Sequence, residues 1–220
     1  MGTRRALWVL AWLAAGCVGT AVPQPPNLEP IDPDLIIGLQ SETTGGPLSM
    51  TGQPGAAAPN ADLYIWDLGS PTPPTITPTL PDGSFSISIP GPLGALRLQA
   101  RTMEDRSDPI DVATGSEGSL PVARPACARL DRELLLGERD SAVLAFVNDC
   151  ATEVRVSEPR SRAGVPFVIE GAPTEPLAPG ARAEMTVEAP SDRPSEDILL
   201  FEVTVDRTTY LYAITVGAGP

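Results

Sequence analysis

Hydrophobic and polar residues alternate along much of the 220-residue chain, and this pattern predicts β-strands. Residues 84–89 read Ser-Phe-Ser-Ile-Ser-Ile, which places Phe85, Ile87 and Ile89 on one face and three serines on the other. Residues 96–101, Leu-Arg-Leu-Gln-Ala-Arg, alternate in the same way. A period of two is typical of strands that bury one face and expose the other. The pattern therefore predicts an all-β chain.

The apolar runs of the chain fall into two groups. Within each group, turn signals rich in Pro, Gly, Asn and Asp separate one run from the next. Such turns about every 8–12 residues are typical of β-sandwiches, and about seven strands are expected of an immunoglobulin-type sandwich. The predicted strands of the first group are residues 35–37, 61–66, 84–89 and 96–101. Those of the second are residues 130–136, 142–148, 153–156, 167–169, 183–187, 198–205 and 210–216, with 206–209 connecting the last hairpin.

Alternation is lost in residues 114–125, where Gly and Ser become frequent, so this segment is the predicted linker between two domains. The predicted fold is two immunoglobulin-like β-sandwich domains, residues 34–113 and 126–220. The 26 Pro and 20 Gly of the chain agree with an all-β fold that has many turns.

The first domain resembles the bacterial immunoglobulin-like repeats. The resemblance rests on residues 51–56 (Thr-Gly-Gln-Pro-Gly-Ala), on the strand 62–66, on residues 82–87 (Asp-Gly-Ser-Phe-Ser-Ile) and on the strand 96–100. Gly83 suits the Asp-Gly turn of that family because tight hairpin turns require a positive φ. Carboxypeptidase-regulatory-like sandwiches share the Asp-Gly-x-Phe signal, so either family fits this domain.

The second domain resembles the abnormal-spindle/Hydin-type immunoglobulin-like domains of bacterial surface proteins. The resembling residues are Leu136-Gly137, 143–148 (Val-Leu-Ala-Phe-Val-Asn), Phe167, 177–180 (Leu-Ala-Pro-Gly) and 213–219. The resemblance implies a fold and no catalytic residues, because the family shares none.

Cys127 and Cys150 depart from that family's pattern. An exported protein can form disulfides, so we expect these two residues to join the opening strand of the second domain to the end of the next strand. The alternative is two separate buried thiols.

The N-terminus has the basic, apolar and small-residue regions of a secretory signal, residues 1–16. Its apolar run is too short for a bilayer, which needs about 20 apolar residues. Residues 13–17, Leu-Ala-Ala-Gly-Cys, resemble a bacterial lipobox. The resemblance implies that Cys17 becomes the first mature residue and carries the diacylglycerol and palmitate anchor. An ordinary signal peptide or an uncleaved anchor is the alternative.

Residues 17–33 contain five Pro and little to bury, which predicts an extended tether. In enterobacterial lipoproteins, Asp after the lipidated Cys favours retention in the inner membrane. Val18 stands at that position here. We therefore expect a lipid anchor in the bacterial cell envelope, in the outer membrane rather than the inner membrane.

The charge of the chain excludes several functions. The net charge is −13, and loss of Arg4 and Arg5 with the leader would leave 13 Arg against 28 acidic residues, a net charge of −15. This charge repels nucleic-acid backbones. The chain has no His, so a Ser-His-Asp or Cys-His nucleophile is impossible. Carboxylate pairs such as Asp131 with Glu133 fit a solvated face better than a glycosidase.

Two features of the sequence are candidate binding sites. Oxygen ligands suit Ca²⁺, and acids crowd the end of the first domain, making Glu104, Asp105, Asp108 and Asp111 weak calcium candidates. Asp32 and Asp34 lie at its entrance. Tyr64 with Trp66, and Tyr210 with Tyr212, share one face of their strands, where core packing is expected and a partner surface is the alternative.

These observations predict a lipid-anchored envelope protein, not an enzyme, with a structural, adhesive or protein-interaction role. Its partners would be the membrane, through the lipid, and an envelope protein or a surface polysaccharide. The alternative function is an extracytoplasmic module that binds polysaccharide or calcium. No other cofactor is expected.

Overall fold

The computed structural model of the chain describes residues 27–40, 46–90, 94–115, 118–121, 124–136, 141–190 and 195–218. Apart from a short 3-10 helix, Pro33–Leu35, the regular structure of these residues consists of strands, so the predicted all-β fold is confirmed. Within the described residues, no sheet contains strands from both halves of the chain.

The first eight strands form two sheets, of three and five strands. The three-stranded sheet has the order β1-β2-β5 and the five-stranded sheet the order β4-β3-β6-β7-β8, with antiparallel pairing throughout. We call this unit the N-terminal sandwich. Its strands are β1 (Ile36–Gln40), β2 (Leu48–Gly52), β3 (Asp62–Asp67), β4 (Thr75–Pro78), β5 (Phe85–Ile89), β6 (Ala95–Arg101), β7 (Ile110–Gly115) and β8 (Gly118–Pro121).

The two sheets of the N-terminal sandwich enclose one apolar core. Met50 and Phe85 of the smaller sheet pack with Leu63 and Leu98 of the larger sheet, and all four are buried. The outer face of the smaller sheet is mainly polar, with exposed Ser49 and Thr51 on β2 and exposed Ser86 and Ser88 on β5. Ile37 of β1, the register partner of Thr51, is also exposed on this face. The predicted alternation of residues 84–89 is confirmed.

The tight turn before β5 requires glycine. Gly83 has φ +78°, and a Cβ at this position would lie 2.2 Å from the carbonyl oxygen of Ala57. The Asp82 carboxylate accepts hydrogen bonds from the Ser84 hydroxyl and backbone N–H at 2.7 and 3.0 Å. The Ser84 hydroxyl is the main cause that lowers the pKa of Asp82.

Nine strands among the described residues form the C-terminal sandwich. One sheet has the order β14-β15-β11-β9 and the other the order β10-β17-β16-β12, with β13 also paired to β16. This is the order of the two sheets of the immunoglobulin fold. The strands are β9 (Ala128–Leu130), β10 (Glu133–Leu135), β11 (Ser141–Asn148), β12 (Val154–Val156), β13 (Arg160–Ser161), β14 (Val168–Glu170), β15 (Arg182–Glu188), β16 (Ser195–Val205) and β17 (Thr208–Ala218).

The C-terminal strands differ in detail from the predicted ones. The expected opening strand, residues 130–136, is two strands: β9 pairs with β11, and β10 crosses to pair in parallel with β17. The last hairpin is tighter than expected. Its turn is Asp206-Arg207, both with positive φ (48° and 69°), as in a two-residue hairpin turn whose twist matches the strands.

The structure departs from the sequence prediction in two places in the N-terminal sandwich. Strands β2, β4, β7 and β8 were not predicted, and β8 lies within residues 114–125, the segment predicted as a linker. Strand β8 pairs with β7, which extends the five-stranded sheet to Pro121. The alternation of residues 96–101 predicts that Arg97 and Gln99 face solvent. This prediction is wrong, because both side chains are as fully buried as the leucines of the strand.

Candidate functional site: the junction between the sandwiches

The two sandwiches pack face to face through the sheet that contains β3 and β6 and the sheet that contains β16 and β17. A separate apolar cluster fills this junction. Because Leu199 and Phe201 point into the C-terminal core while Ile198 and Leu200 point into the junction, β16 is buried on both faces. The cluster consists of Trp66, Leu68, Ile198, Leu200 and Ala213, with Tyr64, Ala95 and Leu211 at its margin.

Arg97 lies in the junction, where its side chain is fully buried. Its guanidinium donates to both carboxylate oxygens of Asp111, at 2.8 and 3.0 Å. It also donates to the C-terminal sandwich: to Thr215 Oγ1 and the carbonyl oxygen of Arg132, each at 3.0 Å, and to the carbonyl oxygen of Ala213. All five N–H groups of Arg97 therefore have an acceptor.

A second guanidinium, that of Arg124, completes the ion cluster. It donates to Asp111 and, at 3.1 Å, to the carbonyl oxygen of Ala213. Burial lowers the pKa of Arg124 to about 10, and the Asp111 carboxylate opposes this change. Arg124 stays charged at neutral pH, so one buried carboxylate faces the buried Arg97 cation and the half-buried Arg124 cation.

The Arg124 guanidinium also covers the ring of Tyr212, 4.6 Å from the ring centroid. The Tyr212 hydroxyl donates to the carbonyl oxygen of Ala128 at 2.7 Å. Burial raises the pKa of Tyr212, and the nearby Arg124 charge opposes the shift. The segment that enters the C-terminal sandwich is therefore tied both to its core and to the junction.

Charged groups close one margin of the junction. Arg101 forms a bidentate pair with Glu196 at 2.6 and 2.9 Å, and its guanidinium lies 4.8 Å from the Tyr64 ring and 4.9 Å from the Trp66 ring. Arg106 donates to Glu133 at 2.8 Å. Each pair joins one sandwich to the other.

A loop of the C-terminal sandwich forms hydrogen bonds at the opposite margin of the junction. Arg162 reaches the N-terminal sandwich and donates to the carbonyl oxygens of Ser70 and, at 2.9 Å, Thr72. Buried Asp197 holds this loop, because its carboxylate accepts from the Ser161 hydroxyl and from the Ala163 N–H at 2.9 Å. The junction is thus held at both margins and in its interior.

The polar contacts of the junction hold the two sandwiches in position. Every N–H donor of Arg97 and both carboxylate oxygens of Asp111 are used inside the protein, so this pair offers no free group to a substrate. A fully bonded buried pair is satisfied in one docking geometry only. The junction therefore sets the angle between the sandwiches.

The two predicted cysteine sites differ in outcome. Cys17 lies outside the described residues. Cys127 and Cys150 form a disulfide, with an S–S distance of 2.10 Å, so the predicted pairing is confirmed and the alternative of separate thiols is excluded. Cys127 directly precedes β9, and Cys150 lies two residues after the end of β11. The disulfide therefore links two strands that are paired in one sheet.

The calcium candidates do not form a cluster. Asp111 is buried between two guanidiniums, whereas Glu104 and Asp108 are exposed and Asp105 lies in the turn that follows β6. Among the described residues, no group of three or more acidic or cysteine side chains could hold a metal ion. Asp32, at the domain entrance, caps the 3-10 helix by accepting from the Asp34 N–H.

The aromatic pairs have different roles. Tyr210 and Tyr212 pack with the C-terminal core, as expected. Tyr64 and Trp66 share a face, with ring centroids 5.7 Å apart, but this face turns away from the N-terminal core toward the other sandwich. Both residues therefore pack in an apolar core as expected, but this core lies between the two sandwiches and not inside one of them.

Sequence reasoning missed the junction residues of β6 and β16. The signal that could have found them is the unbroken apolar run Ile-Leu-Leu-Phe, residues 198–201, since a strand buried on both faces does not alternate. Arg97 carried no such signal, because an Arg at alternate positions of a strand is usually solvated.

An open cleft lies on the C-terminal sandwich. Its volume is about 800 Å³. Arg155 and Thr204, register partners on β12 and β16, form part of one wall, and none of the lining residues is aromatic. The lining residues are Ala151, Thr152, Glu153, Arg155, Pro176, Pro179, Thr204, Asp206 and Arg207.

Within the described ranges, no helix has the length and apolar character needed to cross a lipid bilayer. The chain matches no protein-family model and no curated protein. Among solved structures it is similar to the VesB protease of Vibrio cholerae, with 10% identity, a TM-score of 0.33 and coverage of 73% of this chain. The chain spans 62% of the length of that protease, and a likeness this weak carries no argument about fold or activity.

Proposed function

We propose that the chain is a lipid-anchored protein of the bacterial cell envelope, in the outer membrane, with a non-catalytic structural or protein-interaction role. The signal-like leader, the lipobox that ends at Cys17 and the Pro-rich segment 17–33 support this location. The proposed partner is another envelope protein, recognised at a set distance from the membrane.

The observation that carries the structural role is the locked junction. Tyr64 and Trp66, which could have formed an exposed aromatic platform for a sugar, pack instead against the C-terminal sandwich. Arg97 donates three of its five hydrogen bonds to the C-terminal sandwich. A protein that keeps two sandwiches at one angle suits the presentation of a surface better than the capture of a small ligand.

The location is tested by substituting Cys17→Ala. The variant should lose incorporation of labelled palmitate and should move from the membrane to the soluble fraction of the envelope. The matched control is the double variant Cys127→Ala/Cys150→Ala, which loses two cysteines but keeps Cys17 and should stay in the membrane. Unchanged partitioning of Cys17→Ala would overturn the proposed anchor.

The role is tested by opening the junction while keeping the anchor. Leu200→Asp places a charge in the apolar junction, whereas Thr209→Asp places the same charge on an exposed part of the same sheet face. Trp66 is the single Trp outside the leader and lies in the junction, so a red shift of its emission reports the opening directly.

Cross-linking in intact cells and capture from solubilised envelopes then compare the two variants. We expect Thr209→Asp to retain the cross-linked envelope protein of the natural chain and Leu200→Asp to lose it. Retention by Leu200→Asp, in a chain whose Trp66 emission has shifted, would contradict a role that depends on the angle between the sandwiches.

A second candidate function is the binding of a surface polysaccharide in the open cleft of the C-terminal sandwich. Its volume and its hydroxyl and charged groups favour this alternative, although it lacks the aromatic ring that commonly stacks on a sugar. Titration calorimetry with purified envelope polysaccharide tests it, with Arg155→Ala as the variant expected to weaken binding. Calcium is tested separately: a rise in melting temperature at millimolar calcium would support a calcium site.

A further inference from the structure

The chain joins the N-terminal sandwich well before its first strand. The backbone N–H groups of Asn27 and Leu28 both donate to the carbonyl oxygen of Arg106, each at 3.1 Å. Leu28 packs against the N-terminal core, and Ile31 is buried in that core. This segment therefore belongs to the sandwich, and ten residues of the proposed tether, 17–26, remain between the anchor and the point where the chain enters the fold.

The entry point lies at one end of the junction. Arg106, which holds the entering segment, donates to Glu133 of β10 at 2.8 Å. Arg101, at the end of β6, pairs with Glu196, the second residue of β16. The chain therefore enters the fold beside the first residues of β16.

The last hairpin lies at the other end of β16. A strand rises about 3.3 Å per residue, so the distance from Glu196 to the hairpin turn at Asp206 is roughly 33 Å along the strand. Thr204, Asp206 and Arg207 line the open cleft of the C-terminal sandwich. The entry point and the cleft are therefore at opposite ends of β16.

The length of the tether limits how the anchored chain can be oriented. Ten residues span at most about 36 Å when fully extended, and a flexible chain of that length spans roughly 17 Å. With the hairpin toward the membrane, the entry point would be roughly 33 Å from the lipid surface. The tether would then need almost complete extension, which costs conformational entropy. With the entry point toward the membrane, no extension is needed.

We propose that the turn that follows β6, residues 102–106, faces the lipid surface, and that the last hairpin and the open cleft face away from it. This orientation rests on the lipid anchor proposed above. Met103 in the turn is fully exposed and offers an apolar group to the membrane interface. Exposed Glu104 beside it disfavours an anionic lipid surface, so the surface that fits the turn is neutral lipid. A partner reaches the cleft from the side away from the bilayer.

Energy transfer to the lipid from two labelled positions tests the orientation. The lipidated chain carries Met103→Cys in the turn or Thr208→Cys directly after the hairpin, both at exposed positions. The added cysteine is the single free thiol, because Cys17 carries the proposed anchor and Cys127 and Cys150 form the disulfide. The donor dye is attached to this thiol, and the chain is reconstituted in phosphatidylcholine vesicles whose head groups carry the acceptor.

Transfer from position 103 should exceed transfer from position 208 about twofold, because the two ends of β16 are roughly 33 Å apart. Unchanged Trp66 emission shows that the junction is intact in each variant. Equal transfer from both positions of a bound chain, or more from position 208, overturns the orientation and leaves the anchor standing. A chain that does not bind the vesicles contradicts the anchor and the orientation with it.

A longer tether is the matched control. Insertion of about twenty Gly and Ser residues between Val22 and Pro23 raises the maximum span to roughly 100 Å, so either end of β16 can then approach the lipid. The difference between positions 103 and 208 should shrink in this chain. A difference that persists unchanged would show that tether length does not set the orientation, and the proposal would fall.

Discussion

Arg97 and Asp111 are direct register partners on β6 and β7, and their side chains meet on the sheet face that the second sandwich covers. The two side chains are 0% and 4% exposed. Desolvating two charges is expensive, and good geometry with complete hydrogen bonding is needed to offset that cost. Since three of the acceptors of Arg97 belong to the C-terminal sandwich, the pair is fully satisfied only when the sandwiches are docked.

Substitution Asp111→Asn should destabilise the chain strongly. It removes the negative charge while leaving the Arg97 guanidinium fully buried. Loss of one partner of a buried pair costs about 3–5 kcal/mol. The measurement is urea unfolding followed by circular dichroism and by Trp66 fluorescence. We expect the Trp66 transition, which reports the junction, to shift to lower urea.

The matched control for that experiment is Glu196→Gln. It breaks the bidentate pair with Arg101 at the margin of the same junction, where the Glu196 side chain is 40% exposed. Exposed ion pairs contribute about 0–1 kcal/mol, so the urea midpoint should hardly move. Equal losses for the two variants would mean that the position of a charge in the junction does not decide its cost.

The prediction from sequence succeeded where one sheet face meets water. Phe85, Ile87 and Ile89 alternate with serines because the smaller N-terminal sheet has one buried and one solvated face, and the pattern reports that difference directly. The Cys127–Cys150 pair could also be predicted, because only two cysteines follow Cys17 and the expected export permits a disulfide.

The prediction of solvent exposure failed for the sheet face that the other sandwich covers. Arg97 and Gln99 look like solvent-facing residues in the sequence, since burial of their strand's second face depends on residues more than a hundred positions away in the chain, such as Thr215. Asp111 was considered a calcium ligand for the same reason. Its true partners, Arg97 and Arg124, could not be identified without knowing how the sheets pack.

Removal of the disulfide should weaken the C-terminal sandwich. Cys127 and Cys150 are 23 residues apart, and closing a loop of this size contributes roughly 3.5 kcal/mol in the chain-entropy model. The double variant Cys127→Ala/Cys150→Ala should lose about this much in urea unfolding, whereas the natural chain should lose it only when a reductant is added. Mass analysis that found both thiols free in the exported protein would remove the basis of this prediction.

Tyr212 should ionise above its ordinary value near pH 10 in the folded chain. Burial raises its pKa, so the unfolded chain loses this proton first as the pH increases. The resulting stabilisation is complete below the ordinary pKa and is lost as the pH rises through the higher folded value. Tyrosinate absorbance of the natural chain and of Tyr212→Phe, titrated in parallel, isolates this step. If the ionisation that Tyr212→Phe removes occurs below pH 10 in the natural chain, the expected effect of burial is contradicted.

Two glycines separate the cost of a positive φ from the cost of a steric clash. Gly83 and Gly180 have φ of +78° and +77°, but a Cβ at Gly83 would lie 2.2 Å from the Ala57 carbonyl oxygen, whereas at Gly180 no atom lies within 4 Å. Gly180→Ala should cost only the left-handed backbone penalty of about 1–2 kcal/mol. Gly83→Ala must also displace backbone, so it should cost clearly more in urea unfolding. Similar losses at the two positions would show that the turn before β5 can move away from Ala57.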